Sequence, residues 1–169
     1  MPVRWVPSIF SCFAIGLATL LASCFVGEPN PACNSGDDLA EAALRFQFAS
    51  NQSAIGDRAA AYFVAVEEDQ DPGTDLLARF SGESPPVRPL SGLTMSEAGD
   101  RVLDPSTGKP SLIFRIYKRT MLSNTEAIVE GGYYEANLSA SWITMRAQCR
   151  EGYWRIEKIG PEKISDLSL

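Results

Sequence analysis

The chain has 169 residues and a mass of 18.4 kDa, with 45% hydrophobic and 21% charged residues, which fits one globular domain and excludes a disordered or repeat protein. Lys and Arg number 15 and Asp and Glu 21, a net charge of −6 that argues against nucleic acid phosphates or anionic headgroups as the main partner. Histidine is absent, which removes the Ser-His-Asp triad, the Cys-His nucleophile pair and every histidine-based zinc site.

Arg4 is the only charge ahead of an apolar run from Ile9 to Leu21, and Ala22, Ser23 and Cys24 close that run. Charged end, apolar centre and small residues are the layout of a secretory signal. The run is well short of the ~20 residues of a membrane-spanning helix. Leu21-Ala22-Ser23-Cys24 resembles the lipobox of bacterial lipoproteins. The resemblance covers the first 24 residues and implies cleavage after Ser23, a diacylglyceryl thioether on Cys24 and fatty acylation, palmitate for example, of the new amino group. Each acyl CH₂ buried in lipid contributes about 0.8 kcal/mol, so two or more chains hold a protein on a bilayer where one barely does. In Gram-negative lipoproteins an Asp after the cysteine often causes retention at the inner membrane, and here that residue is Phe25. The resemblance therefore implies a lipid-anchored protein of the bacterial cell envelope, on the outer membrane if the cell is Gram-negative.

The expected organisation is a signal peptide over 1–23, a lipidated tether over 24–36 rich in Pro, Gly and Asn, and a single α+β domain over 37–169. Loss of the signal leaves 14 Lys and Arg against 21 Asp and Glu, a net charge of −7. With Cys12 in the signal and Cys24 lipidated, Cys33 and Cys149 remain, and an oxidising compartment favours a disulfide between them. The alternative is two separate thiols, Cys33 exposed in the tether and Cys149 buried on its strand.

In chain order, Asp38 three residues before Glu41 resembles a capping box, and Leu39, Ala42 or Ala43, Phe46 and Ala49 recur at helical spacing, which predicts a helix over 38–51. Alternation over Tyr62–Val66 predicts a short strand, with the alanines at 59–61 leaving a helical end open. The acidic run Glu67–Asp71 fails the calcium-loop template, because Thr74 and Phe80 stand where Gly and Glu are needed. It reads as a solvated turn leading into a short helix that packs Leu76, Leu77 and Phe80 and ends at Gly82. Five of the eleven prolines fall between Ser81 and Pro110, leaving short extended pieces at Val87–Leu90 and Arg101–Leu103. Gly108-Lys109 reads as a turn, without the context of a phosphate-binding loop.

Alternation at Leu112–Tyr117, Glu126–Glu130, Leu138–Cys149 and Trp154–Glu157, joined by short polar connectors, predicts a four-stranded antiparallel meander. Ile143, Met145, Ala147 and Cys149 are expected on its inward face, bringing Cys149 to the sheet's end within reach of Cys33. Gly131-Gly132 marks a bulge or bend. The expected fold is α+β, an N-terminal helix packed on a bent antiparallel sheet with that meander at its C-terminal end. A helix followed by long bent strands, closing with Gly152, Trp154, Arg155 and Ile156, resembles the NTF2-like cone-shaped domains over residues 38–159. That superfamily includes isomerases and dehydratases, many of which use His and Asp in the cone. A chain without histidine departs from that pattern.

Chemistry is otherwise sparse. Glu126 and Glu130 are expected on the outward face, Glu135 is a third carboxylate candidate, and Asp100 and Asp104 are loop carboxylates that only long-range folding would bring to a strand residue. Tyr133, Tyr134 and Trp142 are the candidates for a recognition patch. No residue is nominated as catalytic, and no cofactor or metal is implied. The expected role is a non-enzymatic binding or accessory module for an envelope protein or a cationic ligand. The alternatives are a small cavity-based hydrolase or isomerase of NTF2-like type, or an inhibitor of a cationic secreted enzyme.

Overall fold

A computed structural model describes residues 33–67, 69–136, 139–160 and 163–164. The signal, the lipobox and its Cys24 lie outside the described residues. The first helix, α1, runs over Gly36–Ala49. Its cap differs from the expected one: Ser35 is the N-cap, its hydroxyl accepts from the Asp38 N–H, and the Asp38 carboxylate accepts from the Ser35 N–H at 2.7 Å. Asp38 is therefore the N3 residue that closes the capping box and not its N-cap. The physical reason is that the tether's last residues carry the hydroxyl, which satisfies orphan amide donors one turn earlier. Leu39, Ala40, Ala43 and Leu44 are fully or almost fully buried and form the face that meets the sheet.

Strand β1 (Tyr62–Val66) follows, then the short helix α2 (Thr74–Ala78), β2 (Val87–Pro89), β3 (Thr94–Met95) and β4 (Val102–Leu103). The meander is β5 (Leu112–Ser123), β6 (Glu126–Ala136), β7 (Ser139–Arg150) and β8 (Tyr153–Lys158), and β9 (Lys163–Ile164) pairs with the start of β7. The order across the main sheet is β2-β1-β5-β6-β7-β8. The meander is antiparallel as expected, but β1 runs parallel to both β2 and β5, so the sheet is mixed. α2 supplies the crossover from β1 to β2, and the proline-rich segment carries the chain back to β5. Those crossovers cover both faces of β1, which buries Tyr62, Phe63, Val64 and Ala65 alike.

Two apolar clusters result. The larger lies between α1 and the sheet, with Phe114 fully buried among the rings of Phe48, Tyr62 and Tyr133. The smaller, Ala61, Phe63, Val102 and Ile113, lies on the opposite face with Leu90, Leu93 and Tyr134 packed on it. Ile143, Met145 and Ala147 face α1, as alternation predicted.

The bend lies at Gly131-Gly132. The β5–β6 register slips between Ile116↔Gly131 and Lys118↔Glu130, leaving Tyr117 as the extra residue of a bulge. A Cβ on Gly132 would stand 1.9 Å from the Ser141 carbonyl oxygen, and one on Gly131 2.7 Å from that of Arg115. Only glycine permits backbones to approach this closely.

Candidate functional site

The last turn of α1 crosses the bend in the sheet. Gln47 lies four residues after Ala43 and eight after Leu39, on the buried face, and is 3% exposed. Its Nε2 donates to the Arg115 carbonyl at 3.2 Å, a contact open only because Gly131 has no side chain: a Cβ there would stand 2.8 Å from Nε2. The Gln47 Oε1 is buried and has no hydrogen-bond partner.

The helix ends at Ser50, whose hydroxyl and N–H both turn back to the Phe46 carbonyl at 2.7 and 2.9 Å. Next, the Asn51 Oδ1 accepts from the Ser53 N–H at 2.9 Å and closes an Asx turn, while its Nδ2 is buried without a partner. Between these two amides and the strands is a cleft of about 110 Å³, with Gly132, Tyr133, Ser141 and Ile143 on the sheet side and the exposed Gln52 and Lys158 at its mouth. A buried polar atom without a partner costs about 1–3 kcal/mol. Gln47 and Asn51 both line the cleft, and each keeps one such atom buried behind its wall. No carboxylate lines it, and Lys158 is its one charged residue.

The cleft lies far from the tether. Cys33 and Cys149 form a disulfide with an S–S distance of 2.05 Å, and the Cys33 N–H donates to the Gly152 carbonyl. The chain thus enters beside the β7–β8 turn, and the 14 residues of α1 carry it about 21 Å to the cleft. The β5–β6 turn lies at the entry end too, where the Cys149 N–H donates to the Thr125 carbonyl. The apolar side chains exposed near these turns are Met121 (52%), Leu122 (54%) and Tyr153 (43%).

The three nominated aromatics are divided between the faces of the sheet. Tyr133 is buried against Phe114 and lines the cleft. Tyr134 packs on the smaller cluster on the other face. Trp142 shares that outer face and stacks on the bulged Tyr117 with ring centroids 6.5 Å apart and 22° between planes. The carboxylates are held in other work. Glu126 pairs with Arg146 at 2.7 Å, Glu130 is exposed, and Glu135 accepts from the Ala54 N–H and the Ser139 hydroxyl. Asp100 accepts from the Ser96 hydroxyl. Asp104, 1% exposed, binds Arg88 and the hydroxyls of Ser106 and Thr107. Burial alone would raise its pKa, but the Ser106 and Thr107 hydrogen bonds and the Arg88 charge hold it below the usual carboxylate range. Asp38 is lowered too, against its burial, by Arg79 and by the N–H groups of Asn34 and Ser35. Both staple the fold at some distance in sequence from the cleft residues.

Among the described residues no group of three His, Cys, Asp or Glu is placed to hold a metal ion, and no helix is long and apolar enough to cross a membrane. No protein-family model, curated protein or solved structure matches the chain. Gln47 and Asn51 were not among the nominated residues. The readable signal was a glutamine on the apolar stripe of a helix, at the place where the 39–43 spacing calls for a hydrophobic residue.

Proposed function

We propose that this chain is a lipid-anchored envelope protein acylated on Cys24, and that its domain is a non-enzymatic binding module presenting its cleft away from the membrane. The observation that carries this reading is the polarity of the domain. The tether, held by Cys33–Cys149, and the exposed Met121, Leu122 and Tyr153 lie at one end, and the cleft lies at the far end of α1. An apolar rim beside the anchor suits the lipid interface, where a tyrosine is at home. A mature charge of −7 keeps the rest of the domain off anionic headgroups and favours a cationic or neutral partner. A cleft with no carboxylate supports binding over acid-base chemistry.

The experiment is membrane fractionation with intact-mass analysis of wild type and Cys24→Ser, followed by crosslinking in the envelope of wild type and Asn51→Trp, which would fill the cleft. The expected result is an acylated, membrane-bound wild type, an unacylated soluble Cys24→Ser, and at least one crosslinked partner lost with Asn51→Trp. An unacylated wild type refutes the anchor, and a partner set unchanged by Asn51→Trp refutes the cleft as the binding surface.

A further inference from the structure

We infer that the end of the sheet made by the β5–β6 and β7–β8 turns docks on the bilayer and holds the domain upright on it, a second membrane contact independent of the acyl chains. The inference rests on the anchored reading above and gives its apolar rim a partner and a consequence. Met121, Leu122 and Tyr153 are three of the six large hydrophobic side chains exposed among the described residues. They do not share a face of the sheet. Met121 pairs with Ala127, which is buried in the larger cluster, so it stands on the α1 side. Tyr153 pairs with Arg150, one step out of phase with the buried Trp154, so it stands on the other side. Leu122 is the extra residue at the second register slip of β5, between Met121 and Ser123. What the three have in common is the end of the strands. β5 and β8 lie three strand spacings apart, about 14 Å. A partner laid on one face of the sheet reaches Met121 or Tyr153 and not both, whereas a surface lying across the strand ends meets all three.

The chain that leads to the anchor leaves from the same end. The Cys33 N–H donates to the Gly152 carbonyl, and Arg119, two residues before Met121, donates to the Gly36 carbonyl at 2.7 Å. Cys24 is nine residues before Cys33, a span of about 30 Å at full extension. An acyl anchor there keeps the tip close to lipid at all times. Charge favours the same contact. Arg150, Glu151 and Arg155 flank the β7–β8 turn, and Glu126, paired with Arg146, follows the β5–β6 turn. Three arginines against two glutamates give the tip a balance of +1 on a mature chain of −7, so anionic headgroups repel the body and not the tip. Those charges also set the depth. Glu151 is 86% exposed at the apex of its turn, so the turn stops at the headgroups while the apolar side chains reach the acyl boundary. The strands then stand along the bilayer normal. Tyr133 lies seven residues along β6 from Glu126, which places the cleft about 20 Å above the headgroups and open away from them.

The test places the acylated full chain, labelled with ¹⁵N, in bilayers of phosphatidylethanolamine and phosphatidylglycerol, with a water-soluble gadolinium chelate as the probe of exposure. Relaxation enhancement at the Leu122 and Tyr153 amides should fall at least fivefold relative to Cys24→Ser free in buffer, while that at Gln52 and Ser53 beside the cleft changes less than twofold. In a second arm Cys24→Ser is sedimented with vesicles of the same composition. It should bind weakly and in proportion to lipid, and addition of Met121→Ser, Leu122→Ser and Tyr153→Ser should reduce that binding at least fivefold. A membrane-bound, acylated wild type whose Leu122 and Tyr153 amides stay as accessible as in buffer overturns the inference and leaves the anchor standing. An unacylated wild type removes the anchor, and sedimentation then decides, equal binding with and without the three serines overturning the inference. If the three serines leave vesicle binding unchanged but abolish a crosslink to an envelope protein, the rim is a protein-binding surface and the inference falls.

Discussion

Breaking the Cys33–Cys149 bridge should cost a large share of the domain's stability while leaving its native shape almost unchanged. The bridge closes a loop of 116 residues, nearly the whole folded domain. In the chain-entropy treatment such a loop contributes about 5 kcal/mol at 25 °C, through the unfolded state alone. The native state loses little by comparison. The Cys33 N–H keeps its bond to the Gly152 carbonyl, the Ser35 cap is intact, and Arg119 still reaches the Gly36 carbonyl at 2.7 Å. Residual structure in the unfolded chain trims the figure, so about 3–5 kcal/mol is expected, a drop in Tm of about 10–20 °C for a domain of this size. Urea unfolding of the oxidised protein, the reduced protein and the Cys33→Ala/Cys149→Ala double variant measures it. The two unbridged forms should agree with each other and show a larger m-value, because the freed unfolded chain exposes more surface. A loss under about 1 kcal/mol with an unchanged m-value would refute the entropic account.

Gly132→Ala should prevent correct β6–β7 pairing, because its Cβ meets the Ser141 carbonyl at 1.9 Å; soluble yield and amide dispersion report it, and a folded variant with native stability counts against the bend as described. Phe114→Ala removes a ring in contact with Phe48, Tyr62 and Tyr133 and should cost about 3–5 kcal/mol in urea unfolding. Asp38 and Asp104 have folded pKa values below their ordinary 3.8, so their stabilisation is present above that value and is lost as the pH falls through the lower folded values. Unfolding midpoints should be level from about pH 5 to 7 and fall below about pH 4. Asp104→Asn should be less stable at neutral pH with a flatter acid limb; an acid limb as steep as wild type's would show that Asp104 does not contribute to it.

The meander was legible because each of its strands buries one face and solvates the other, so Leu112, Phe114 and Ile116, or Ile143, Met145 and Ala147, write the period of two directly into the chain. The same reasoning put Cys149 at the end of its row, where the disulfide forms. The parallel placement of β1 was not legible. A strand buried on both faces loses its alternation, and Tyr62–Val66 reads the same whichever way its neighbours run. Nor was the α1 cap, since Asp38 and Ser35 both meet the cap pattern and the choice depends on where the disulfide lets the tether end.

The cleft was partly legible and partly beyond any local reading. Gly131-Gly132 announced a bulge or bend, but not what packs against it. That turned out to be the β7 backbone on one side and a glutamine from α1 on the other. Gln47 on an apolar stripe was a visible anomaly; its meaning depended on the Arg115 carbonyl, 68 residues away, which takes one end of the amide. Asn51 looked like an ordinary turn residue, and its Asx turn is one, yet the turn's geometry is what leaves the NH₂ buried. A search for ionisable clusters passes over such a cleft, because neutral amides carry no charge to pattern. In a chain without histidine, whose buried carboxylates Asp38, Glu41 and Asp104 are all paired with arginines, the cleft is walled by neutral side chains, with Lys158 its one charged residue.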